Sequence, residues 1–275
     1  MRLADEIITS RRNPTVVDAV KLSDRRTREK EGLFRFDGIK LFDEAAEKGV
    51  SIRRVLICES RANDIVPRLE NCKAIAGAVV SVLSDDVFSR VSEEQSPEGI
   101  ICIADFPRHH VKKANTADAL ATSGDASSRV LMLESVRDPG NMGTIMRSAA
   151  AFGIDTLVIS RDCADIYNPK TVRAAMGALF KLNILVFEDL CEAINAFRQS
   201  GRRVFAAALD REAVRLDEVE FSGSDVALIG NEGHGLSDEA IAACTQSLYI
   251  PMEDGSESLN AGVAASVILW SMYRR

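Results

Sequence analysis

Val130-Leu131-Met132-Leu133-Glu134-Ser135-Val136-Arg137-Asp138-Pro139-Gly140-Asn141-Met142-Gly143-Thr144-Ile145-Met146-Arg147 begins with four consecutive apolar residues. It passes through a loop dense in glycine, asparagine and charge into a helical segment that lasts to Gly153. A short, continuous apolar run bounded by turn residues reads as a strand buried on both faces, and the helix behind it completes a βα unit. The rhythm repeats toward the C-terminus. Strands are expected at Thr156-Leu157-Val158-Ile159, at Ile184-Leu185-Val186-Phe187 and from Val204 to Ala208, then from Asp225 to Ile229 and from Ser247 to Ile250. Helices are expected from Pro169 to Leu179, from Leu190 to Arg198, after an N-cap at Ser237, and from about Leu259 to Tyr273. Alternating strands and helices predict a parallel sheet covered on both faces.

Toward the N-terminus the pattern changes. Residues 3–30 read as helical but broken at Asn13-Pro14, and Leu33-Phe34-Arg35-Phe36 alternates as a short strand. A helix follows Gly38 with Leu41, Phe42, Ala45 and Ala46 on one face; strands are expected at 54–58, 79–83 and 99–103, with a short helix opening at Asp86. Residues 1–110 therefore read as a small α/β domain, 111–128 as a polar linker rich in Gly, Ser and Thr, and 129–275 as a second domain.

With 46% apolar and 27% charged residues, the 275-residue chain is globular in composition rather than disordered. Its net charge of −7 argues against a general polyanion binder. The charge is uneven, however. Residues 1–120 hold 20 basic and 20 acidic side chains, whereas 121–275 hold 14 and 21. Residues 11–30 alone are net +4, so Arg11, Arg12, Arg25, Arg26 and Arg28 are candidates for phosphate contact; the alternative is a solvated amphipathic helix. The six cysteines form no C-x-x-C pair, and the histidines have no metal-ligand spacing, so neither a disulfide framework nor a metal site is indicated. The first residues do not read as a secretory signal and no apolar run reaches membrane-spanning length, which points to a cytoplasmic protein without a membrane partner.

In an open parallel sheet, ligands gather where loops leave the carboxyl ends of strands. Three such loops stand out. In the first, Gly140 and Gly143 permit close backbone approach, and Arg147 on the following helix suits an anion; the alternative is a glycine-rich loop with Arg147 in a salt bridge. The second, Gly230-Asn231-Glu232-Gly233-His234-Gly235, matches neither G-x-G-x-x-G nor a Walker loop, and His234 reads as a surface residue. In the third, Tyr249 to Asn260, Pro251 removes a donor as the chain leaves its strand, and Ser258 or Asn260 can cap the last helix.

Taken together, Asn141, Gly143 and Arg147, then Gly230 to Gly235, then Ile250-Pro251-Met252 with Ser258-Leu259-Asn260, resemble in order and spacing the three motifs of the SpoU/TrmH RNA ribose methyltransferases of the SPOUT superfamily. Asn168 to Ala178 is also similar to that family. Ile8 to Pro14 and Leu33 to Gly38 are similar, more weakly, to its N-terminal RNA-binding domain. Two departures occur: Asp254 stands where the family usually has glycine, with Gly255 one place later, and Asp37 precedes Gly38 where glutamate is more usual.

The resemblance implies a small α/β RNA-binding domain followed by an α/β-knot methyltransferase domain, a trefoil-knotted parallel sheet that general topology rules disfavour. It implies S-adenosylmethionine as cofactor, contacted by Gly230, Ile250 and Leu259, with Met252 and Leu209 at the adenine. It implies methyl transfer to a ribose 2′-hydroxyl in RNA, most readily ribosomal RNA, with Arg147 at the hydroxyl supported by Asn141, Glu232, Ser258 and Asn260. Because a guanidinium keeps its proton, Arg147 is expected to bind phosphate and stabilise developing alkoxide charge, with Glu232 orienting Arg147 or Asn141; the proton acceptor is left open. A homodimer through the methyltransferase domain is also implied. The final apolar helix, with Leu259, Val263, Val267, Ile268, Leu269 and Trp270, suits that role or that of a buried core helix. The competing readings are a transfer RNA ribose methyltransferase and a non-catalytic RNA-binding protein that keeps the fold.

Overall fold

A computed structural model describes the whole chain except residues 1, 4–5, 71, 93, 95, 108–110, 125–127, 254–257 and 275. The chain divides into two compact units: Met1–Pro107 with Tyr167–Phe180, and Arg108–Ile166 with Lys181–Arg275.

In the first unit, strands β1 (Arg2–Leu3), β2 (Leu33–Asp37), β3 (Ile52–Cys58), β4 (Val79–Leu83) and β5 (Ile100–Asp105) form a sheet in the order β1-β4-β3-β5-β2. β5 runs antiparallel to both its neighbours, and the β1–β4 and β4–β3 pairs are parallel. Helix α1 (Pro14–Lys21) starts where Asn13 caps it, its side chain accepting from the Thr15 N–H at 2.9 Å. Asp24 caps α2 (Arg25–Glu31), which stops at the left-handed Gly32. Helices α3 (Ile39–Glu47), α4 (Ala62–Glu70) and α5 (Asp85–Val91) follow in the same stretch of chain. Val16, Ala19, Leu56, Phe88 and Ile101 form part of one core cluster beneath α1 and α5.

The expected helical run from residue 3 is not observed. Arg2–Leu3 instead pairs with the β4 edge and Ile8 bridges Leu83, so pairing to an open strand edge overrides local propensity. Tyr167–Phe180 is the other departure. Tyr167 stacks on Phe106 with ring centroids 4.0 Å apart, and Phe180 meets Phe36 edge-on at 5.6 Å. The helix expected to reach Leu179 ends as α8 (Pro169–Ala175), because Met176 and Gly177 turn left-handed.

The second unit carries strands β6 (Val111–Lys113), β7 (Val130–Leu133), β8 (Thr156–Ser160), β9 (Asn183–Phe187), β10 (Val204–Ala207), β11 (Val214–Arg215), β12 (Val226–Ile229) and β13 (Gln246–Tyr249). Among the described residues they form one wholly parallel sheet, in the order β11-β13-β10-β12-β7-β8-β9-β6. Helices α6 (Thr116–Gly124), α7 (Pro139–Ala151), α9 (Leu190–Gln199), α10 (Asp238–Ala243) and α11 (Ala261–Tyr273) belong to this unit. β7, β8 and β12 are buried along their whole length, as a sheet covered on both faces requires.

Residues 111–128, read as a linker, contain the edge strand β6 and helix α6, whose Ala119 joins the core cluster of Ala193 and Phe197. Lys112 and Lys113 look like linker residues because charge is also how an edge strand is protected. Among the described residues no helix is long and apolar enough to cross a membrane and no metal-binding group of side chains forms; the cysteines are free.

Asp225, at the entrance to β12, is buried, and Arg203 donates to both its oxygens, with Nε at 3.0 Å; the Ser222 N–H adds a third bond at 2.6 Å. The arginine is half exposed and the carboxylate is not. Arg203→Met is therefore expected to cost about 3 kcal/mol by stranding a buried charge, read as a lower urea midpoint. Asp225→Asn, which removes that charge, is expected to cost less.

Candidate active site

From β7 the chain runs through β8 to β9 on one side, then crosses to β10, and β12 fills the gap between β10 and β7. The carboxyl ends of β7 and β12 thus form the point where the strand order reverses, which in open α/β sheets is where ligands bind. The loops leaving these two ends are the first two singled out in the sequence.

Asp138 and Pro139 open α7 there, with the Asp138 carboxylate accepting the Asn141 N–H at 2.8 Å and proline in the first turn. The Glu232 carboxylate accepts from Asn141 Nδ2 at 3.0 Å, from the Asp138 N–H at 3.1 Å and from the Arg137 N–H at 3.2 Å. Asn141 Oδ1 in turn accepts from Asn260 Nδ2 at 2.8 Å, and Asn260 Oδ1 caps α11 by accepting the N–H groups of Gly262 (2.9 Å) and Val263 (3.3 Å). The direction of this chain is fixed at both ends. A helix N-terminus offers only donors, so Asn260 must present its oxygen there and its amide NH2 to Asn141. Asn141 must then present its NH2 to Glu232, which as an ionised carboxylate accepts these three donors and, at 3.5 Å, Asn231 Nδ2. Burial pushes the Glu232 pKa up, but the bonds from Asn141 and from the Asp138 and Arg137 backbone outweigh it and hold the group below its ordinary value.

Asn260 arrives from the third loop. β13 lies beyond β10, so its end at Tyr249 and the Asn260–Asn141 bond stand about three strand spacings apart, roughly 14 Å. The departures at Asp254 and Gly255 fall outside the described residues.

Gly230 and Gly235 serve the turn itself. Asn231 and Gly235 exchange backbone hydrogen bonds of 2.9 and 3.0 Å, and a Cβ on Gly230 would lie 2.4 Å from the Gly235 carbonyl carbon. Gly235 takes φ +71, which favours glycine. The closure of this loop accounts for those glycines without invoking close approach of a ligand. His234 is exposed, as expected.

Of the expected catalytic set, the structure joins Asn141, Glu232 and Asn260. Ser258 is exposed and outside their network. Arg147 lies in the third turn of α7, exposed, and among the described residues no hydrogen bond or ion pair engages it. Among the described residues no acid forms a salt bridge with Arg147, and Glu232 bonds Asn141 rather than Arg147. Leu209, in the loop leaving β10, is 82% exposed, and Met252 (43%) and Leu259 (38%) are exposed in the third loop, with Ile250 half-buried beside Pro251. Exposed large apolar groups on loops that leave the strand ends fit an apolar moiety such as an adenine.

Sequence reasoning missed the residues that hold these loops in place. Glu134 accepts the Ser237 N–H (2.8 Å) and hydroxyl (2.7 Å), and Asn231 Nδ2 donates to the Ser135 carbonyl at 2.7 Å. Ser135 sits at φ +54, held also by Ser160 Oγ and Asp162. Burial raises the Asp162 pKa, but hydrogen bonds from Ser135, Ser160 and Arg137 hold it below the usual carboxylate range. The available signal was position alone, since all of these follow the ends of buried strands.

Among the basic candidates, Arg28 is corrected. It is 2% exposed, and its Nη1 donates to the Leu22 and Ser23 carbonyls, both at 2.7 Å, so it satisfies the C-terminal end of α1 and does not face solvent. Arg11 pairs with Asp86, and Arg25 with Glu29 at 2.8 Å; Arg12 and Arg26 are exposed.

Residues 128–270 match the model of the SpoU rRNA Methylase family, and 13–102 match the MRM3-like substrate binding domain. The 23S rRNA (guanosine(2553)-2′-O)-methyltransferase RlmP of Bacillus subtilis (strain 168) is 31% identical over 265 residues, covering 96% of this chain and 98% of its own. A 23S rRNA (uridine(2479)-2′-O)-methyltransferase of Streptomyces viridochromogenes is 26% identical, covering 92% and 87%. An AdoMet-bound rRNA methyltransferase from Sinorhizobium meliloti superposes with a TM-score of 0.82 at 25% identity, covering 98% of this chain and 97% of that one.

Proposed function

The chain belongs to the SpoU rRNA methylase family, and from that premise we propose that it is an S-adenosylmethionine-dependent methyltransferase acting on a ribose 2′-hydroxyl of ribosomal RNA. The observation that carries the reading is the hydrogen-bonded chain Glu232–Asn141–Asn260, which ties the three motif loops together at the switch point of the parallel sheet. S-adenosylmethionine supplies an electrophilic sulfonium methyl when bound. Leu209, Met252 and Leu259 offer the apolar surface for its adenine, and the backbone at Gly230, Ile250 and Leu259 offers polar contacts.

Arg147, whose guanidinium has no partner among the described residues, holds a substrate phosphate and stabilises negative charge growing on the 2′-oxygen as its proton leaves. Asn141 and Asn260 fix the start of α7 and α11 around that oxygen, Glu232 locks both amides in one orientation, and Ser258 stands at the rim of the same loop.

We assign residues 1–110 to RNA binding and 129–275 to methyl transfer, with Arg11, Arg12, Arg25 and Arg26 supplying phosphate attraction. The loops at 230–236 and 250–260 carry the trefoil knot in this reading, and the protein works in the cytoplasm as a homodimer. Support for a dimer comes from α11. Its Ala265, Ile268 and Leu269 are buried and Ser266 bonds Ser148 of α7 at 2.7 Å, but Val263, Trp270 and Tyr273 stay exposed with Phe152 against the two rings.

The deciding experiment incubates the protein with methyl-labelled S-adenosylmethionine and either ribosomal or transfer RNA from cells lacking the gene. Label is expected in ribosomal RNA as a 2′-O-methylated nucleoside whose 3′ linkage resists alkaline cleavage. Label on a base, or none in ribosomal RNA, would overturn the assignment.

A further inference from the structure

The first unit holds a cleft of about 350 Å³, lined by part of the basic run 11–30 and by residues of its sheet. Its floor is apolar, made by Leu22 at the end of α1, Leu33 of β2 and Ile103 of β5. Its rim carries four cations, Lys21, Lys30, Arg53 and Arg54, against two acids, Asp18 and Glu31. A net positive, apolar-floored cleft is unusual in a chain whose total charge is −7.

The arginine pair is placed there by the backbone. In a regular strand, neighbouring side chains point to opposite faces, so Arg53 and Arg54 could not both line one cleft. β3 departs from regularity at this point. Ile52 lies opposite Ala104 and Arg54 opposite Ile103, leaving Arg53 as an extra residue. A bulge of this kind re-aims a side chain, and here it turns two consecutive arginines toward α1 and α2. Arg53 Nε is committed to Asp105 at 2.8 Å, and Lys30 sits 3.5 Å from Glu31. Among the described residues no hydrogen bond or ion pair engages the side chain of Arg54 or Lys21.

We propose that this cleft is an RNA-anchoring site that takes one unstacked nucleotide of the substrate RNA. The base lies on Leu22, Leu33 and Ile103, and the flanking phosphates meet Arg54, Lys21 and Arg53. The volume falls at the low end of the roughly 300–1,000 Å³ usual for small-ligand pockets, which suits one nucleotide and excludes a duplex. Proteins hold single-stranded RNA by stacking splayed-out bases on aromatic rings or guanidinium planes within a positively charged groove; this cleft supplies the guanidinium planes and the charge, with leucine and isoleucine in place of rings. The proposal rests on the reading of this chain as an RNA methyltransferase and extends it. A nucleotide other than the one methylated is gripped by the first unit, so the shape of a loop in the RNA is read at two places.

The test uses the full chain and deproteinised 23S rRNA carrying 4-thiouridine. Photo-crosslinks in the unsubstituted protein are expected in peptides containing residues 18–33, 53–54 or 103. Crosslinks confined to other segments would overturn the proposal. In filter binding at about 0.1 M salt, the Lys21→Glu/Arg54→Glu variant is expected to bind at least ~10-fold more weakly, with the slope of log affinity against log salt flattened by about 1.4. Arg54→Lys, which keeps the charge, is expected within about threefold of the parent, and S-adenosylmethionine affinity and thermal midpoint are expected to be unchanged in both. RNA affinity within twofold of the parent for the double reversal would also overturn it. A parent protein that neither binds nor methylates ribosomal RNA would bring down the enzyme assignment itself, whereas a parent that does both while its crosslinks avoid the cleft would bring down only this site.

Discussion

Arg147→Ala is expected to keep S-adenosylmethionine affinity within about twofold while lowering methyl transfer by roughly 10²–10³-fold, the usual loss when one donor to a developing oxyanion is removed. The folded protein gives this side chain no partner among the described residues, so the substitution should leave stability within about 0.5 kcal/mol. A fall in turnover would then report chemistry and not unfolding. Arg147→Lys should recover only part of the rate, because an ammonium keeps the charge but loses the planar fork that grips a phosphate with two bonds. Single-turnover transfer measured beside calorimetric cofactor binding separates the two effects. Near-normal turnover in the alanine variant would remove Arg147 from the site.

Asn141→Asp is expected to lower transfer by about 10²-fold near pH 8 and to recover part of it on acidification, a recovery that the parent enzyme does not show. In the parent, Glu232 has a lowered pKa, so what its ionised form contributes is complete above the ordinary glutamate range and is lost only as pH falls through the lowered value. In the variant a second carboxylate replaces the donor 3.0 Å from Glu232. Two like charges at that distance raise one pKa of the pair, and the proton taken up restores a donor between them. The variant's rate should therefore rise as pH falls through that raised value, a range in which Glu232 of the parent is still ionised and its contribution unchanged. A variant rate that does not rise there would show that the Glu232–Asn141 bond does not govern the site.

How much of this was legible depended on how each residue's neighbours are supplied. β7 is read to the residue, Val130 to Leu133, because a strand buried on both faces must be apolar throughout. The short edge strands β6 and β11 carry polar residues and gain their definition from a partner strand, which no local pattern reveals. Asn141, Glu232 and Asn260 were identifiable through the family resemblance of the three motifs, yet the direction of their hydrogen bonds follows from the cap on α11, and that needs three distant segments at once. Arg28 misled for a related reason. It belongs to a basic run, but the open carbonyls at the end of α1 draw it inward. Ser258 carries a motif position without any bond to the others, and Gly230 is explained by its own turn.

The aromatic segment Tyr167–Phe180 bears on how the protein is made. Phe34, Phe36 and Phe106 are synthesised early, yet the rings that cover them, Tyr167 and Phe180, follow Pro107 by about 60 residues or more. At about 5–20 residues per second, the nascent N-terminal unit waits roughly 3–12 s for the first of them. During that interval its sheet presents a bare aromatic surface to the ribosome exit and to chaperones. A polypeptide ending anywhere before Tyr167 lacks those covering rings, so the packing of the first unit is completed only by a segment synthesised in the middle of the second.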